Sequence, residues 1–437
     1  MAKLIATCSW RNFELSAIIP FRGLNLIPFG DFTTFLPLVL VLIPTVILGW
    51  SGRTSRGYNL FASIFMIYCI WTSASWHPFA HLYLIFFWQW VVIKSYSIVA
   101  PKIKYTVWAG FFYGSAVIGT LLPLLLERTL GATIFGFLGI SYLTFKCTGM
   151  IPEIRDGLID RPKFVEFTNF ILFYPVLSSG PIDRYRRFVK DLQWRPSGIE
   201  YQDLFYHGIR KIFRGFFYKF IIAFLIKHHW LDLIPGTNAL WPVINYMYAY
   251  SMYLFFDFAG YSAFAVGISY LLAVRTPENF AMPYISSNIK DFWTRWHISL
   301  STWFRDYVYM RLILYFTRKK IKLDKYILSF IGYYALFGLM GLWHGFTGFY
   351  IIYGFYHAIL MCGFDLLERL NRERHFWGAS PAWKWLAIFA TFHFVCFGFL
   401  IFSGRIQAYN RYLIPLILLA TVLIFTVQII KARKISP

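Results

Sequence analysis

Long apolar runs, separated by short polar breaks, dominate the chain. Stretches of about 17–25 apolar residues are the length of a helix that crosses hydrocarbon. Such runs lie near 32–50, 58–76, 79–99, 105–126, 130–147, 240–256, 258–274, 327–343, 346–364, 383–402 and 411–430, eleven in all. The run 166–181 is short and ends in Leu177-Ser178-Ser179-Gly180-Pro181, so it predicts a re-entrant segment. Segment 212–227 carries Arg214, Lys219 and Lys227 among apolar positions and predicts a helix lying along the interface.

The polar breaks set an expected sidedness. Segment 275–325 has ten basic residues against four acidic ones, and 183–219 has nine against four. Together with Arg53/Arg56, Lys102/Lys104 and the tail Lys431-Ala432-Arg433-Lys434, these mark one face as cytosolic. Even numbers of predicted spans separate them, which puts the amino terminus outside and the carboxyl terminus inside. Residues 1–31 do not predict a cleaved signal peptide. No internal repeat or soluble domain is visible. The expected organisation is an extension over 1–23 and one all-α membrane domain over 24–437.

Composition excludes the other classes. Of 437 residues, 58% are hydrophobic and 14% charged, whereas soluble domains carry about 25% charged residues. The net charge of +22 fits a cytosolic membrane surface and anionic headgroups, or a basic face that docks an acidic partner. No nucleic-acid motif accompanies it. Cys8, Cys69, Cys147, Cys362 and Cys396 are scattered and read as buried free thiols. No metal is expected: His77 and His81 have helical spacing, but Pro78 intervenes and no third ligand is evident.

Polar residues inside apolar spans carry the chemical information, because hydrocarbon makes them costly. His344 lies in Gly341-Leu342-Trp343-His344-Gly345, with glycines at 338, 341, 345 and 348. On a helix those glycines fall within about 80° of one another. Such a face admits another backbone or a thin substrate chain. His344 then either lines a crevice or bonds to a neighbouring helix.

From Asn288 to Tyr307, the apolar residues Ile289, Trp293, Trp296, Leu300, Phe304 and Tyr307 form a helical stripe, with His297 at its edge beside Lys290, Thr294 and Ser301. This is either an active segment or an amphipathic helix at the inner interface. Asp257 reads as a proton relay, an ion site or the partner of an arginine elsewhere, with the structural pairing favoured. His357 and His393 read as packing residues, and Asp365, Glu368, Arg369, Arg372 and Arg374 as a solvated loop edge.

Taken together, Trp293-Thr-Arg295-Trp296-His297-Ile-Ser-Leu-Ser-Thr-Trp303-Phe304-Arg305-Asp306-Tyr307 and, 47 residues after His297, Gly341-Leu-Trp343-His344-Gly345 resemble the membrane-bound O-acyltransferase (MBOAT) family. Asn25–Phe32, Ile140–Lys146 with Glu153-Ile-Arg155-Asp156-Gly157, and Ser178–Phe188 are similar to its branch that transfers D-alanine in teichoic acid modification. The resemblance covers roughly 24 to 430. It implies about eleven spanning helices with re-entrant and interfacial pieces, pierced by a tunnel. It also implies His344 as catalytic histidine and His297 as the second active-site histidine. Trp343, Gly341, Gly345, Asn288, Trp296, Ser301, Arg305 and Asp257 are the expected tunnel or support residues.

The resemblance further implies a multi-pass protein of the bacterial cytoplasmic membrane, with no bound cofactor. The phosphopantetheine arm of an acidic D-alanyl carrier protein would present the donor thioester at the cytosolic face. An envelope-side acceptor or accessory transfer protein would receive the acyl group, for lipoteichoic acid. A histidine suits general-base work because imidazole titrates near neutrality. No serine or cysteine triad suggests an acyl-enzyme, so direct transfer is expected. O-acetylation of an envelope polysaccharide is the alternative within the family, and a transporter the alternative outside it. One geometric tension stands. A straight helix from Tyr326 to His344 rises about 27 Å, toward the outer side, while His297 belongs to a segment assigned inside.

Overall fold

The computed structural model describes residues 28–71, 77–104, 106–130, 139–378 and 380–433. The extension 1–23, Cys8, the side chain of His77, and parts of the predicted spans 58–76 and 130–147 lie outside the described residues. Among the described residues the chain is helical, and the only β feature is an isolated antiparallel bridge between Phe280 and Trp296.

Among the described residues, eight helices are long and apolar enough to cross a membrane: Phe32–Trp50, His81–Ile103, Ala109–Thr129, Leu240–Leu271, Lys325–His344, Gly348–Arg374, Pro381–Phe402 and Arg411–Ile430. The eleven expected segments differ from these in three places. Arg56–Trp71 has 16 described residues. Ile140–Arg155 is buried along nearly its whole length, which marks it as a core helix. The runs 240–256 and 258–274 form one 32-residue helix, Leu240–Leu271. A single carboxylate does not end a helix, because it removes no backbone hydrogen bond, so Asp257 sits inside it. The end comes where Ala273 turns to φ 57°. There Val274 and Ala273 donate to the carbonyls of Ser269 and Tyr270 and close the last turn.

The chain divides into two compact units. The first comprises the described residues of 28–220 together with 258–278. Its core is aromatic: Phe167, Phe170, Phe173, Phe188, Phe264 and Tyr201 are essentially fully buried, and each such ring contributes about 1.5–3 kcal/mol. Phe164–Leu172 supplies two of these rings in only nine residues, too few to cross a bilayer. The Gly198–Phe216 helix opens on a capping box between Ser197 and Glu200 and packs closely on residues 258–271. A Cβ on Gly208 would lie 2.9 Å from the Gly267 carbonyl oxygen, and one on Gly267 would lie 2.7 Å from that of Gly208. Helical backbone continues beyond it, with π-helical pieces, to Leu231.

Several basic residues of 183–219 are engaged with buried carboxylates. Arg186 pairs with Glu153 at 3.3 Å, Arg187 with Asp183 and with Asp191 at 3.0 Å, and Arg275 with Asp191 at 2.8 Å. Burial raises the Asp183 carboxyl above its ordinary range, opposed by the Arg187 guanidinium.

The second unit comprises residues 221–257 and 279–437. Its centre is a hairpin of Lys325–His344 and Gly348–Arg374, joined through Gly345-Phe346-Thr347. Asp324 caps the first helix, accepting from Tyr326 N–H at 2.9 Å. The two helices approach backbone to backbone at Gly341 and Gly354: added Cβ atoms would meet the Tyr350 and Phe337 carbonyl oxygens at 2.5 and 2.3 Å. The glycine face thus admits a neighbouring helix at Gly341, while Gly338 has nothing nearer than 3.9 Å.

The acid–base cluster expected on a solvated loop edge is a correction. Asp365 and Arg369 are buried inside Gly348–Arg374. Asp365 pairs with Lys290, and Arg369 donates to Gln428 at 3.3 Å, because the amphipathic last turns of this helix face protein.

Candidate active site

The second unit holds both sequence-predicted histidines, and two local structures present them. The stripe from Ile289 to Tyr307 is not one helix. It forms Ile289–Arg295 and Ile298–Phe304, with Trp296-His297 as the break. Asn288 caps the first piece, accepting from Asp291 N–H at 2.8 Å. His297 adopts φ 42°, ψ 52°, the left-handed region that residues with a Cβ avoid. Its carbonyl accepts from Ser301 N–H at 3.0 Å, and the Ser301 hydroxyl donates to the Trp296 carbonyl at 3.0 Å.

Residues 279–281 hold the break from the side. Ala281 N–H donates to the Arg295 carbonyl at 3.0 Å, and Ile298 N–H to the Asn279 carbonyl at 2.9 Å. His297 is 5% exposed. Burial pushes its imidazole down to about 3, so it is neutral at physiological pH.

His344 is the last residue of its helix and is half-buried. Its ring lies 4.4 Å from Trp343, 5.7 Å from Tyr350, 6.2 Å from Tyr353 and 4.8 Å, edge-on, from Phe402. Gly345 follows with extended backbone, and a Cβ there would meet the Tyr350 ring at 2.9 Å.

Two aromatic paths connect these structures. Trp296 packs on Phe399 at 4.7 Å, and His344 on Phe402 at 4.8 Å. Phe399 and Phe402 stand three residues apart in Pro381–Phe402, a rise of about 4.5 Å. The geometric tension in the sequence is therefore relieved: the His297 segment is buried, and Trp296 beside it meets the same helix end that His344 meets. The second path runs from Trp293 to His357 (5.0 Å), then to Tyr353 (4.6 Å), then to His344 (6.2 Å).

The expected support residues divide by position. Trp343, Gly341 and Gly345 stand with His344, while Trp296, Ser301 and Asn288 stand with His297. Arg305 turns outward and donates to Asp306 at 2.8 Å. Asp257 lies within electrostatic reach of Tyr253, on the helix whose Phe255 ring meets Trp296 at 6.2 Å.

Sequence reasoning passed over Tyr350, Tyr353, Phe402 and Asn279. The spacing of Tyr350, Tyr353 and His357 marks one helical face, a signal that was available. His357, read as a packing residue, is fully buried. Neither of its ring nitrogens has a hydrogen-bond partner among the described residues. A Cβ at Gly398 would come within 2.8 Å of its Nε2. Among the described residues no group of three His, Cys, Asp or Glu is placed to hold a metal ion.

Comparison with known sequences defines the class of this helical membrane protein. The chain belongs to the membrane-bound O-acyltransferase family, whose sequence profile matches residues 153–409, and it is an acyltransferase of that family. It is 47% identical to the teichoic acid D-alanyltransferase of Bacillus subtilis (strain 168), over 86% of this chain and 98% of that protein. The teichoic acid D-alanyltransferase of Lacticaseibacillus rhamnosus is 38% identical, over 87% and 98%. The probable alginate O-acetylase AlgI of Pseudomonas aeruginosa is 34% identical over 61% of this chain and 49% of its own length.

Proposed function

We propose that this chain transfers D-alanine from a phosphopantetheine thioester, borne by an acidic carrier protein at the cytosolic face, to an acceptor hydroxyl on the envelope side, in the modification of lipoteichoic acid. The observation that carries the substrate is similarity to a teichoic acid D-alanyltransferase at 47% identity over 98% of its length.

His344, at a helix end and half-exposed, takes the proton of the acceptor hydroxyl. The hydroxyl oxygen attacks the thioester carbonyl, the new C–O bond forms, and the C–S bond breaks. His344 then returns the proton to the departing pantetheine thiolate. His297, neutral by burial, hydrogen-bonds rather than carries charge in this scheme. A tunnel joining the two faces would bring thiol arm and acceptor to these residues. The proposed sidedness puts 275–325 and the carboxyl terminus in the cytosol. Four spanning helices separate them, an even number, and both are basic.

The test loads carrier protein with radiolabelled D-alanine and adds membranes containing the wild-type chain or His344→Ala. Label leaves the carrier for membrane or polymer only with the wild-type chain. Label that stays on the carrier while an acetyl donor is consumed would move the substrate to O-acetylation, the reading that the AlgI similarity favours. Full transfer by a folded His344→Ala chain would overturn the mechanism.

A further inference from the structure

The turn that carries His297 is closed by a residue 18 positions upstream. Asn279 is fully buried. Its backbone carbonyl takes the Ile298 N–H, and its side-chain Oδ1 accepts from the Ser299 hydroxyl at 2.6 Å and the Ser299 N–H at 3.4 Å. A backbone N–H can only donate, so the amide oxygen must be the atom that faces Ser299. The amide nitrogen is thereby turned the other way. It is sealed from solvent and has no hydrogen-bond acceptor among the described residues. An amide N–H₂ left buried and unbonded is costly, and groups of this kind in native structures call for a specific explanation. Asn279 is bonded through its backbone to Ile298, the residue after His297, which has a left-handed φ and which the family resemblance places at the reacting centre.

Resting on the acyl-transfer reading above, we propose that Asn279 is a further catalytic residue: its Nδ2 donates a hydrogen bond to the carbonyl oxygen of the acyl thioester as that oxygen gains negative charge. The amide exchanges no atom with substrate. The proton travels from acceptor hydroxyl to His344 to thiolate, as above, while the C–O bond forms and the C–S bond breaks. An amide suits the task because it neither gains nor loses a proton through the cycle, so the donor is present at every stage. The same side chain splits its work, with Oδ1 holding the turn and Nδ2 serving the substrate.

The split supplies the test. Asn279→Asp keeps an acceptor for Ser299 and removes the N–H₂ donor. Steady-state D-alanyl transfer is expected to lose about 100-fold in kcat, with KM for the charged carrier little changed, while the buried carboxylate lowers the melting temperature. Ser299→Ala loosens the turn and keeps the donor, so it should lower the melting temperature and cost only a few-fold in kcat. His344→Ala is run alongside. If His344→Ala is inactive while Asn279→Asp stays within threefold of wild type, this inference fails and the acyl-transfer reading stands. If His344→Ala is fully active, the role of His344 fails, and if the wild-type chain moves no D-alanine, the acyl-transfer reading itself fails. Should Asn279→Asp not fold, the wild-type chain is imaged with an amide analogue of D-alanyl-phosphopantetheine. Nδ2 about 2.7–3.2 Å from the carbonyl oxygen supports the proposal, and a bond from Nδ2 to any other group overturns it.

Discussion

His297 and His344 both stand at helix ends, and the protein holds them by opposite means. His344 closes a regular 20-residue helix, and rings on two other helices surround it. Its backbone needs no special conformation, and its side chain keeps some exposure, as the proposed proton transfer requires. His297 occupies a left-handed break between two seven-residue helices. A residue held there costs about 1–3 kcal/mol, and the hydrogen bonds from residues 279–281 offset it. Its imidazole is buried and neutral. The difference teaches that two histidines proposed for one site need not be equivalent. One geometry suits proton transfer, and the other suits a fixed, uncharged hydrogen-bonding surface.

The largest test of this contrast is on chemistry. His344→Ala should lower D-alanyl transfer by roughly 10²–10⁴-fold without lowering the melting temperature of the detergent-solubilised protein by more than a few degrees. A comparable loss caused by unfolding would remove the distinction between the two sites.

The next concerns the hairpin that presents His344. Gly341→Ala forces a methyl onto the Tyr350 carbonyl and should cost about 1–3 kcal/mol, read as a lowered melting temperature. Gly338→Ala, with no neighbour nearer than 3.9 Å, should melt with the wild type. Equal effects at both glycines would show that the close approach is absent.

The pH dependence of stability sharpens the claim that His297 is neutral. Its folded pKa, about 3, lies below the unfolded value of about 6.5. The unfolded chain therefore binds a proton first as pH falls, and the native state loses stability between those two values. Above about pH 6.5 this residue contributes no slope. Below it the slope approaches about 1.4 kcal/mol per pH unit. Melting curves from pH 7 to 4 should show that part of the slope missing in His297→Gln.

The smallest effect isolates the backbone. His297→Gly and His297→Ala both delete the imidazole, but only glycine is at ease at φ 42°. The glycine variant should be more stable by about 1 kcal/mol, with both low in transfer activity. Equal stability would mean that the turn relaxes out of the left-handed region.

Much of this protein can be read from its residues alone. Hydrocarbon selects for long apolar runs, so most of the spanning helices appear as stretches of hydropathy, and the basic breaks between them mark a side. The motif around Trp293–Tyr307 and Gly341–Gly345 carried the family, because two such segments at that separation are specific. Helix boundaries were less legible. Asp257 looked like a break between two spans because a charge interrupts hydropathy, yet backbone hydrogen bonds run through it.

Only the tertiary structure decided where the polar groups stand. Asp365 and Arg369 have the composition of a loop edge, and their burial depends on Lys290 and Gln428, which lie 75 and 59 residues away. The left-handed φ of His297 is invisible to a periodic stripe, since the pattern of apolar residues continues across the break. Asn279 stands out only in the folded chain, where the turn 18 residues on holds its carbonyl and its amide oxygen and leaves its amide nitrogen over. Hydrophobicity is a property of each side chain and can be read in order. Hydrogen-bond satisfaction belongs to pairs, and the partner is known only when the chain has folded.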